Sequence, residues 1–247
     1  MLKKPIIEVN NVSMRFNLAK EKTDTIKEYC IKFIKGKLFF DEFYALKNIS
    51  FNINKGEAVA LIGVNGSGKS TMLKIIAGVM TPTEGNVTIR GSIAPLIELG
   101  AGFDMDLTAR ENIFLNGAVL GYDRKFMQKN FDEIISFAEL EEFLDVPVKN
   151  FSSGMIARLG FAIATIVKAD ILVVDEILAV GDYMFQKKCK ERIAKMLEGG
   201  TTLLFVSHDI KQVKELCTKA IWLEHGILKD IGSVDEVCKK YEPDYEE

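Results

Sequence analysis

The sequence predicts an α/β fold built on a largely parallel β-sheet. A glycine-rich stretch, residues 63–70, stands between a strand-like apolar run at 58–62 and a helical pattern at 69–77. From residue 171 onward, apolar runs of strand length alternate with helical patterns. Alternating strands and helices of this kind form parallel sheets that are covered by helices.

The elements predicted after residue 170 follow directly from this alternation. We predict, in chain order, strand 171–174, helix 185–197, strand 202–206, helix 210–217, hairpin strands 220–224 and 227–231 that turn at His225-Gly226, and helix 234–241 before an acidic tail.

The first part of the chain predicts further strands and then a helical block. Apolar residues alternate or cluster at 6–12, 49–53 and 86–90, as they do in strands. Residues 109–168 instead predict several helices, with loops near 121–123 and 145–147. This block interrupts the α/β pattern, and we expect it to form a helical subdomain.

An inserted segment at 17–41 predicts a basic amphipathic helix between two strands. Two interpretations stay open: a helix that packs on the domain with its lysines in solvent, or a helix that lies near an anionic membrane surface or a membrane subunit. The apolar residues at helical spacing are Ile26, Cys30, Phe33, Ile34 and Leu38, and the lysines among them are Lys22, Lys27, Lys32, Lys35 and Lys37.

Composition excludes several functional classes. The 247 residues carry a net charge of −3, which gives no electrostatic reason to expect nucleic-acid binding. The four cysteines are widely spaced and there are only two histidines, so we do not expect a zinc cluster. No apolar stretch approaches the ~20 residues that span a bilayer, and the N-terminus lacks a signal-peptide core. We therefore expect a cytosolic chain whose membrane role comes through a partner.

Residues 63–70 read Gly-Val-Asn-Gly-Ser-Gly-Lys-Ser, a phosphate-binding loop. Glycines let backbone N–H groups turn toward a di- or triphosphate, and the helix N-terminus adds positive potential. Lys69 is expected to reach the β- and γ-phosphates, and Ser70 to ligate Mg²⁺. The predicted ATP-binding residues here are Gly63, Val64, Asn65, Gly66, Ser67, Gly68, Lys69, Ser70 and Thr71.

Two later strands end in candidate catalytic residues. Strand 171–174 runs into Asp175 and Glu176, and strand 202–206 is followed by His208. Asp175 is expected to hold Mg²⁺, and Glu176 to polarise the attacking water. We expect His208 to contact the γ-phosphate, since ligands gather at the carboxyl ends of parallel strands.

Residues Phe151-Ser152-Ser153-Gly154-Met155 open a helix and resemble the signature sequence of ABC-type ATPases. The motif order also agrees, and the resemblance covers nearly the whole chain. It implies an ABC-type nucleotide-binding domain with a RecA-like α/β core, an antiparallel β subdomain and a helical subdomain. The implied boundaries are 1–97 and 169–232 for the core with its β subdomain, 98–168 for the helical subdomain, 17–41 for the insertion and 233–247 for the last helix and tail.

The resemblance also implies a homodimer. In this family the signature contacts ATP bound to the other subunit, so two chains would sandwich two nucleotides head to tail. The residues carried over are Ser152, Ser153, Gly154 and Met155. The usual Ser-Ala-Leu-Asp of the dimer-contact loop is absent here, and Asp182 is its nearest counterpart.

Two further positions are implied by the resemblance. Glu98 stands where the family usually has a glutamine that contacts the metal and the membrane subunit, and its carboxylate would add charge near Mg²⁺. For the aromatic that stacks on adenine, Phe16 matches the family position, while Tyr44 rejoins the core beside Leu46. Both alternatives stay open, with Tyr44 preferred.

The motif spellings resemble one subfamily, the ATP-binding subunits that export lipid-linked O-antigen, capsule or teichoic acid. The implied partner is a polytopic membrane permease that places the chain on the cytoplasmic face, without direct contact to the glycan. The chain ends at Glu247, and no C-terminal sugar-binding domain is expected. The alternatives are an importer or drug exporter ATPase, a soluble ABC ATPase acting on nucleic acid or ribosomes, and a module that binds ATP without hydrolysis.

Overall fold

Two β-sheets with one helix between them form the centre of the fold. The computed structural model describes residues 4–19, 40–96, 99–167, 169–175 and 181–245. The strands are β1 (Ile7–Ala19), β2 (Phe40–Ile53), β3 (Ala58–Ile62), β4 (Glu84–Ile89), β5 (Ile93–Leu96), β6 (Ile171–Val174), β7 (Thr202–Val206), β8 (Lys219–Glu224) and β9 (Ile227–Ser233). The helices are α1 (Lys69–Ile76), α2 (Ala109–Val119), α3 (Arg124–Ala138), α4 (Ser153–Thr165), α5 (Tyr183–Glu198), α6 (Ile210–Leu216) and α7 (Val234–Tyr245), with short 3₁₀ turns at Glu141–Phe143 and Val148–Asn150.

The larger sheet has six strands in the order β5-β6-β7-β3-β8-β9. Its first five strands are parallel, and β9 closes the edge as the antiparallel partner of β8. The smaller sheet is antiparallel, in the order β2-β1-β4. The predicted α/β fold with a mainly parallel sheet is therefore confirmed.

Each central strand of the larger sheet is buried on both faces, because alternate residues enter two different cores. One core faces α4, α5 and α7; the other faces α1 and the smaller sheet. The first takes Ala60, Ile62, Leu172, Val174, Leu203, Phe205, Ala220 and Trp222 from the sheet. The second takes Val59, Leu61, Ile171, Val173, Leu204, Val206, Ile221 and Leu223.

Helix α1 lies between the two sheets. Its buried apolar residues Met72, Leu73, Ile75 and Ile76 all belong to the second core, together with side chains from both sheets. A helix covered on two sides is fixed in place by close packing. The position of the loop that precedes α1 is consequently set by both sheets.

Helices α2, α3 and α4 form the helical block, and a side chain caps each of them. Thr108 and Glu111 make a reciprocal capping box at α2, while Asp123 caps α3 and Ser152 caps α4. None of the described helices is both long and apolar enough to cross a membrane. The division of the chain into subdomains stays a prediction.

Strand pairing continues into both flanks of the segment that is predicted to be inserted at about 17–41, and the bounds of that segment stay a prediction. Strand β1 continues to Ala19 and β2 begins at Phe40, with Asn17 opposite Glu42 and Ala19 opposite Phe40. Antiparallel pairing satisfies the backbone hydrogen-bonding groups of these flanks. The residues that carry the helical spacing, 20–39, lie outside the described residues.

The predicted turn between β8 and β9 is present and is bound to the phosphate loop. His225 and Gly226 have φ angles of 46° and 75°, as in the primed turns that suit hairpins. The Gly226 N–H donates to Ser67 O at 3.0 Å, and its carbonyl accepts from the Lys47 N–H at 2.8 Å. The hairpin thus connects the loop to strand β2.

We expect Gly226→Ala to destabilise the protein more than Gly200→Ala. Both glycines have positive φ, 75° and 85°, so alanine costs about 1 kcal/mol at either position. At Gly226 the added Cβ would also lie 2.7 Å from Ala45 O, whereas at Gly200 nothing lies within 4 Å. Displacing that backbone should cost about 1–3 kcal/mol more. Thermal midpoints of both variants provide the measurement, and equal midpoints would contradict this packing argument.

Candidate active site

The loop between β3 and α1 is shaped by close backbone approaches at two glycines. Gly63 has φ of 147°, and a Cβ there would lie 2.1 Å from Leu223 O. Gly68 has φ of 102°, and its Cβ would lie 2.6 Å from Ala45 O. Any side chain at these positions would push the loop away from β8 or β2. The two glycines therefore allow the tight wrap that a phosphate cradle requires.

Lys69 and Ser67 give the loop polar groups at its centre. The Lys69 ammonium is buried and donates to Gly63 O at 2.7 Å and Val64 O at 2.9 Å. The buried Ser67 hydroxyl has no hydrogen-bond partner among the described residues. A buried cation and an unsatisfied hydroxyl in a glycine loop suit an anionic oxygen ligand. These residues therefore fit a nucleotide phosphate.

The first turn of α1 supports the same assignment. Ser70 is exposed and Thr71 is half-buried, and the turn contains no acidic residue. The helix N-terminus thus keeps its positive potential toward the loop. Val64, Asn65 and Gly66 form the exposed outer part of the loop.

The parallel sheet brings the predicted site residues to one edge. Val174 lies beside Phe205, and Leu61 lies beside Val206. The residues that follow these strands, Asp175, Ser207-His208 and Gly63, therefore emerge at the same carboxyl edge. Asp175 is half-buried and His208 is exposed. Glu176 and Glu98 lie outside the described residues.

The predicted signature residues begin helix α4. Ser152 is the N-cap, and its Oγ accepts from the Met155 N–H at 3.2 Å. Ser152 and Ser153 are exposed, Gly154 is half-buried, and no acidic residue lies in the first turn. Helix α4 packs mainly on α2, α3 and β5. The motif therefore presents an exposed, positively polarised helix start on the helical block.

Arg158 connects the signature helix to Asp182. Its guanidinium bonds Asp182 Oδ2 at 2.5 Å and Glu139 Oε2 at 2.8 Å, and it lies 4.8 Å from the centre of the Phe185 ring. Asp182 also caps α5 by accepting from the Phe185 N–H at 2.9 Å. This N–H, together with the Arg158 charge, holds the pKa of Asp182 below its usual value.

Sequence reasoning missed Arg158, although α4 offered a signal. It is the one charged residue among Ser153–Thr165, a helix that is otherwise almost entirely apolar. A single charge in such a helix requires a partner. The structure places Asp182 there, and its predicted role as a dimer contact stays a prediction.

The two candidate adenine-stacking aromatics lie close together on the β1–β2 hairpin. Arg15 pairs with Tyr44 and Phe16 pairs with Phe43, so these residues occupy adjacent cross-strand positions. Phe16 is half-buried, while Tyr44 and Phe43 are exposed. Because Ala45 O approaches Gly68, this part of β2 adjoins the phosphate loop. The choice between Phe16 and Tyr44 stays a prediction.

Comparisons with known proteins agree with this geometry. A family model described as "ABC transporter" matches residues 46–179. The O-antigen export system ATP-binding protein RfbB of Klebsiella pneumoniae is 44% identical, over 96% of this chain and 97% of its own length. The teichoic acids export ATP-binding protein TagH of Staphylococcus haemolyticus is 41% identical, over 96% of this chain and 88% of its own length.

Solved structures share the fold. The dimeric ATP-binding cassette MJ0796 in a post-hydrolysis state, bound to ADP and Pi, has a TM-score of 0.72. It is 26% identical, and the match covers 92% of this chain and 98% of that one. Another ATP-binding subunit of an ABC transporter has a TM-score of 0.75 at 22% identity, with coverage of 96% and 93%.

Fold and loop together define a nucleoside-triphosphate-binding protein of the phosphate-loop class. Within that class, the chain belongs to the ABC transporter family. The predictions that it binds ATP and that it is an ATPase are thereby confirmed.

Proposed function

We propose that this chain is the ATP-hydrolysing subunit of an exporter that moves a lipid-linked polysaccharide across the cytoplasmic membrane through a separate membrane subunit. The observation that carries this proposal is similarity along nearly the whole chain to proteins named for O-antigen and teichoic acid export. Because the similarity extends over 96% of the chain, it includes the segments between the motifs as well as the motifs themselves. The glycan itself is not contacted, since the chain acts through the permease on the cytoplasmic face.

The phosphate loop provides the binding half of the chemistry. The β- and γ-phosphates accept hydrogen bonds from the loop N–H groups and from the Lys69 ammonium, which already lies across the loop at Gly63 O. The unsatisfied Ser67 hydroxyl supplies one further donor. The buried position of Lys69 strengthens its attraction for phosphate, because little water screens it there.

Hydrolysis requires a base at the carboxyl edge of the sheet. Glu176 accepts a proton from the water that attacks the γ-phosphorus, the bond to the β-phosphate oxygen breaks, and ADP and phosphate leave. His208, from the adjacent strand, donates to a γ-phosphate oxygen. Ser70 and Asp175, with Glu98, provide the oxygen donors that Mg²⁺ prefers. When bound, Mg²⁺ neutralises charge on the phosphates.

Two copies of the chain complete each site. The signature residues of one copy lie at an exposed, positively polarised helix start, and such a start binds anionic oxygens. We infer that it meets the γ-phosphate held by the other copy's loop. The dimeric cassettes of the same fold support this arrangement.

An apolar groove supports docking of the membrane subunit. A cavity of about 220 Å³ lies between the region after α1 and the helices α2 and α4. Pro95, Leu99 and Leu120 line it, and the exposed side chains of Val79 and Val119 border it. We infer that these exposed apolar side chains contribute to a protein contact. We infer that an apolar segment on the cytoplasmic side of the permease docks in this groove.

Affinity capture from native membranes tests the proposal. Tagged Glu176→Gln protein with ATP should retain a polytopic membrane protein, identified by mass spectrometry after detergent solubilisation. A matched protein that also carries Val79→Asp and Val119→Asp should lose it, because charges in the groove must be desolvated on docking. Retention of only soluble or ribosomal proteins would overturn the transport assignment. If both proteins capture the membrane protein equally, the transport assignment stands and only the proposed docking in the groove is wrong.

A further inference from the structure

We propose that Lys188 is a positioning residue for ATP hydrolysis. It joins helix α5, which packs on the larger sheet, to the end of helix α3, and it thereby fixes the orientation of the signature helix α4. The inference rests on the proposed function, in which the start of α4 contacts ATP held by a second copy. It adds a residue that touches no nucleotide and acts through contacts within one chain.

The C-terminal end of α3 needs hydrogen-bond donors, and Lys188 supplies them. The N–H of the C-cap residue Glu139 donates to Ile135 O. The Lys188 ammonium donates to the next two carbonyls, Ser136 O at 3.3 Å and Phe137 O at 3.0 Å. A cation also suits the negative end of the helix dipole. Helix α3 is therefore capped by a side chain of α5.

The carboxylate of Glu139 connects three helices at this point. Its Oε1 lies 3.1 Å from Lys188 Nζ of α5, and its Oε2 lies 2.8 Å from Arg158 Nη1 of α4. Arg158 lies about one helical turn after Met155, the last of the signature residues. A shift of Glu139 would therefore displace the helix that carries the signature.

The ring of Phe137 gives the junction between α3 and α5 a defined geometry. Lys188 Nζ lies 4.8 Å from the ring centre, and the Arg192 guanidinium lies 4.5 Å from it. Phe161 of α4 stacks on the same ring at 5.7 Å, and Arg192 also pairs with Glu133 of α3 at 2.9 Å. Phe137 is buried, so water screens these cation–π contacts only weakly.

The exposure of the ion pair favours a role in positioning over one in stability. The side chains of Lys188 and Glu139 are 36% and 51% exposed, and ion pairs of such exposure contribute little to stability. Turnover is more sensitive to geometry, because a displacement of about 1 Å caused far from the chemistry lowers the rate about 100-fold. We therefore expect loss of the Lys188 contacts to lower turnover while the protein stays folded.

Replacing Lys188 by methionine tests this role. Methionine keeps an apolar stem beside Phe137 but removes the ammonium and its three hydrogen bonds. Turnover at saturating ATP should fall about 10- to 100-fold. Affinity for a fluorescent ATP analogue and the thermal midpoint should stay close to those of the unaltered protein. Lys188→Arg keeps a cation that donates several hydrogen bonds, and it should restore most of the turnover.

The matched control is Lys190→Met. Lys190 lies two residues further along α5 and pairs with Glu215 of α6 at 3.1 Å, the same distance as between Lys188 and Glu139. This ion pair does not involve the helical block, so its loss should leave turnover unchanged. Equal losses of turnover in Lys188→Met and Lys190→Met would overturn the proposal in favour of a general effect of charge. Normal turnover of Lys188→Met would overturn it outright.

Two further measurements separate positioning from stability. Lys188→Met combined with Glu139→Gln should lower turnover no further than the stronger single variant, because both changes remove the same contact. Additive losses would contradict that shared contact. A Lys188→Met protein whose thermal midpoint and ATP affinity fall together with turnover would show a structural role only, and the proposal would be wrong. An unaltered protein without turnover would instead overturn the proposed function itself.

Discussion

Replacing Glu176 by glutamine is expected to lower ATP turnover about 100-fold or more while ATP still binds. A general base contributes typically 10²–10⁴-fold, and glutamine has the same shape but cannot accept the proton from water. The phosphate loop, with Lys69 across Gly63 and Val64, is unaffected by this change. Steady-state phosphate release measures turnover, and sedimentation in the presence of ATP should show an accumulated dimer.

The control for Glu176→Gln is Glu191→Gln, the same chemical change at an exposed position of helix α5. Its turnover should equal that of the unaltered protein. Normal turnover by the Glu176→Gln protein would remove Glu176 from the role of base. Loss of both turnover and ATP binding would instead indicate damage to the loop.

Replacing Lys69 by alanine is expected to weaken ATP binding about 10- to 100-fold. Hydrogen bonds to charged groups contribute about 1.5–3 kcal/mol each, and the buried ammonium is poorly screened. The substitution also removes the two bonds by which the ammonium holds Gly63 O and Val64 O. Titration calorimetry with ATP measures the affinity, and a thermal midpoint establishes that the protein is folded.

Lys74→Ala serves as the matched variant for Lys69→Ala, because Lys74 lies near the other end of the same helix. It removes the same charge from the chain without touching the loop, and ATP affinity should stay within about twofold of the unaltered protein, since long-range surface charge is screened. If the unaltered protein, Lys69→Ala and Lys74→Ala bind ATP with equal affinity, the assignment of residues 63–70 as the phosphate-binding loop is wrong.

Much of the larger sheet could be predicted because its signals are local. Strands β6 and β7 are short runs of buried aliphatic residues, and the glycine loop fixes the junction between β3 and α1. Strand β5 was missed because it has only four residues and includes Pro95. It lies at the edge of the sheet, where a missing N–H donor is tolerated.

The contacts that could not be predicted join residues far apart in sequence. Strands β1 and β2 pair with each other on either side of the insertion. This pairing brings Arg15 Nη1 to 2.7 Å from Glu42 Oε1. Arg158 meets Asp182 only because α4 and α5 cover the same face of the sheet. Motif spelling named Asp182, but its cap and its ion pair depend on packing that a local pattern does not contain.

The placement of α1 between two sheets has a thermodynamic consequence for ATP. Ordering a flexible loop around a ligand costs conformational entropy, roughly 1–2 kcal/mol for each residue fixed. In this chain Gly63 and Gly68 are already ordered before ATP binds, because their backbones pack closely against Leu223 and Ala45 in the folded protein. Packing of the hydrophobic core therefore contributes to the affinity for ATP. Substitutions that leave a cavity at Met72 or Leu73 should lower that affinity, although neither residue contacts the nucleotide.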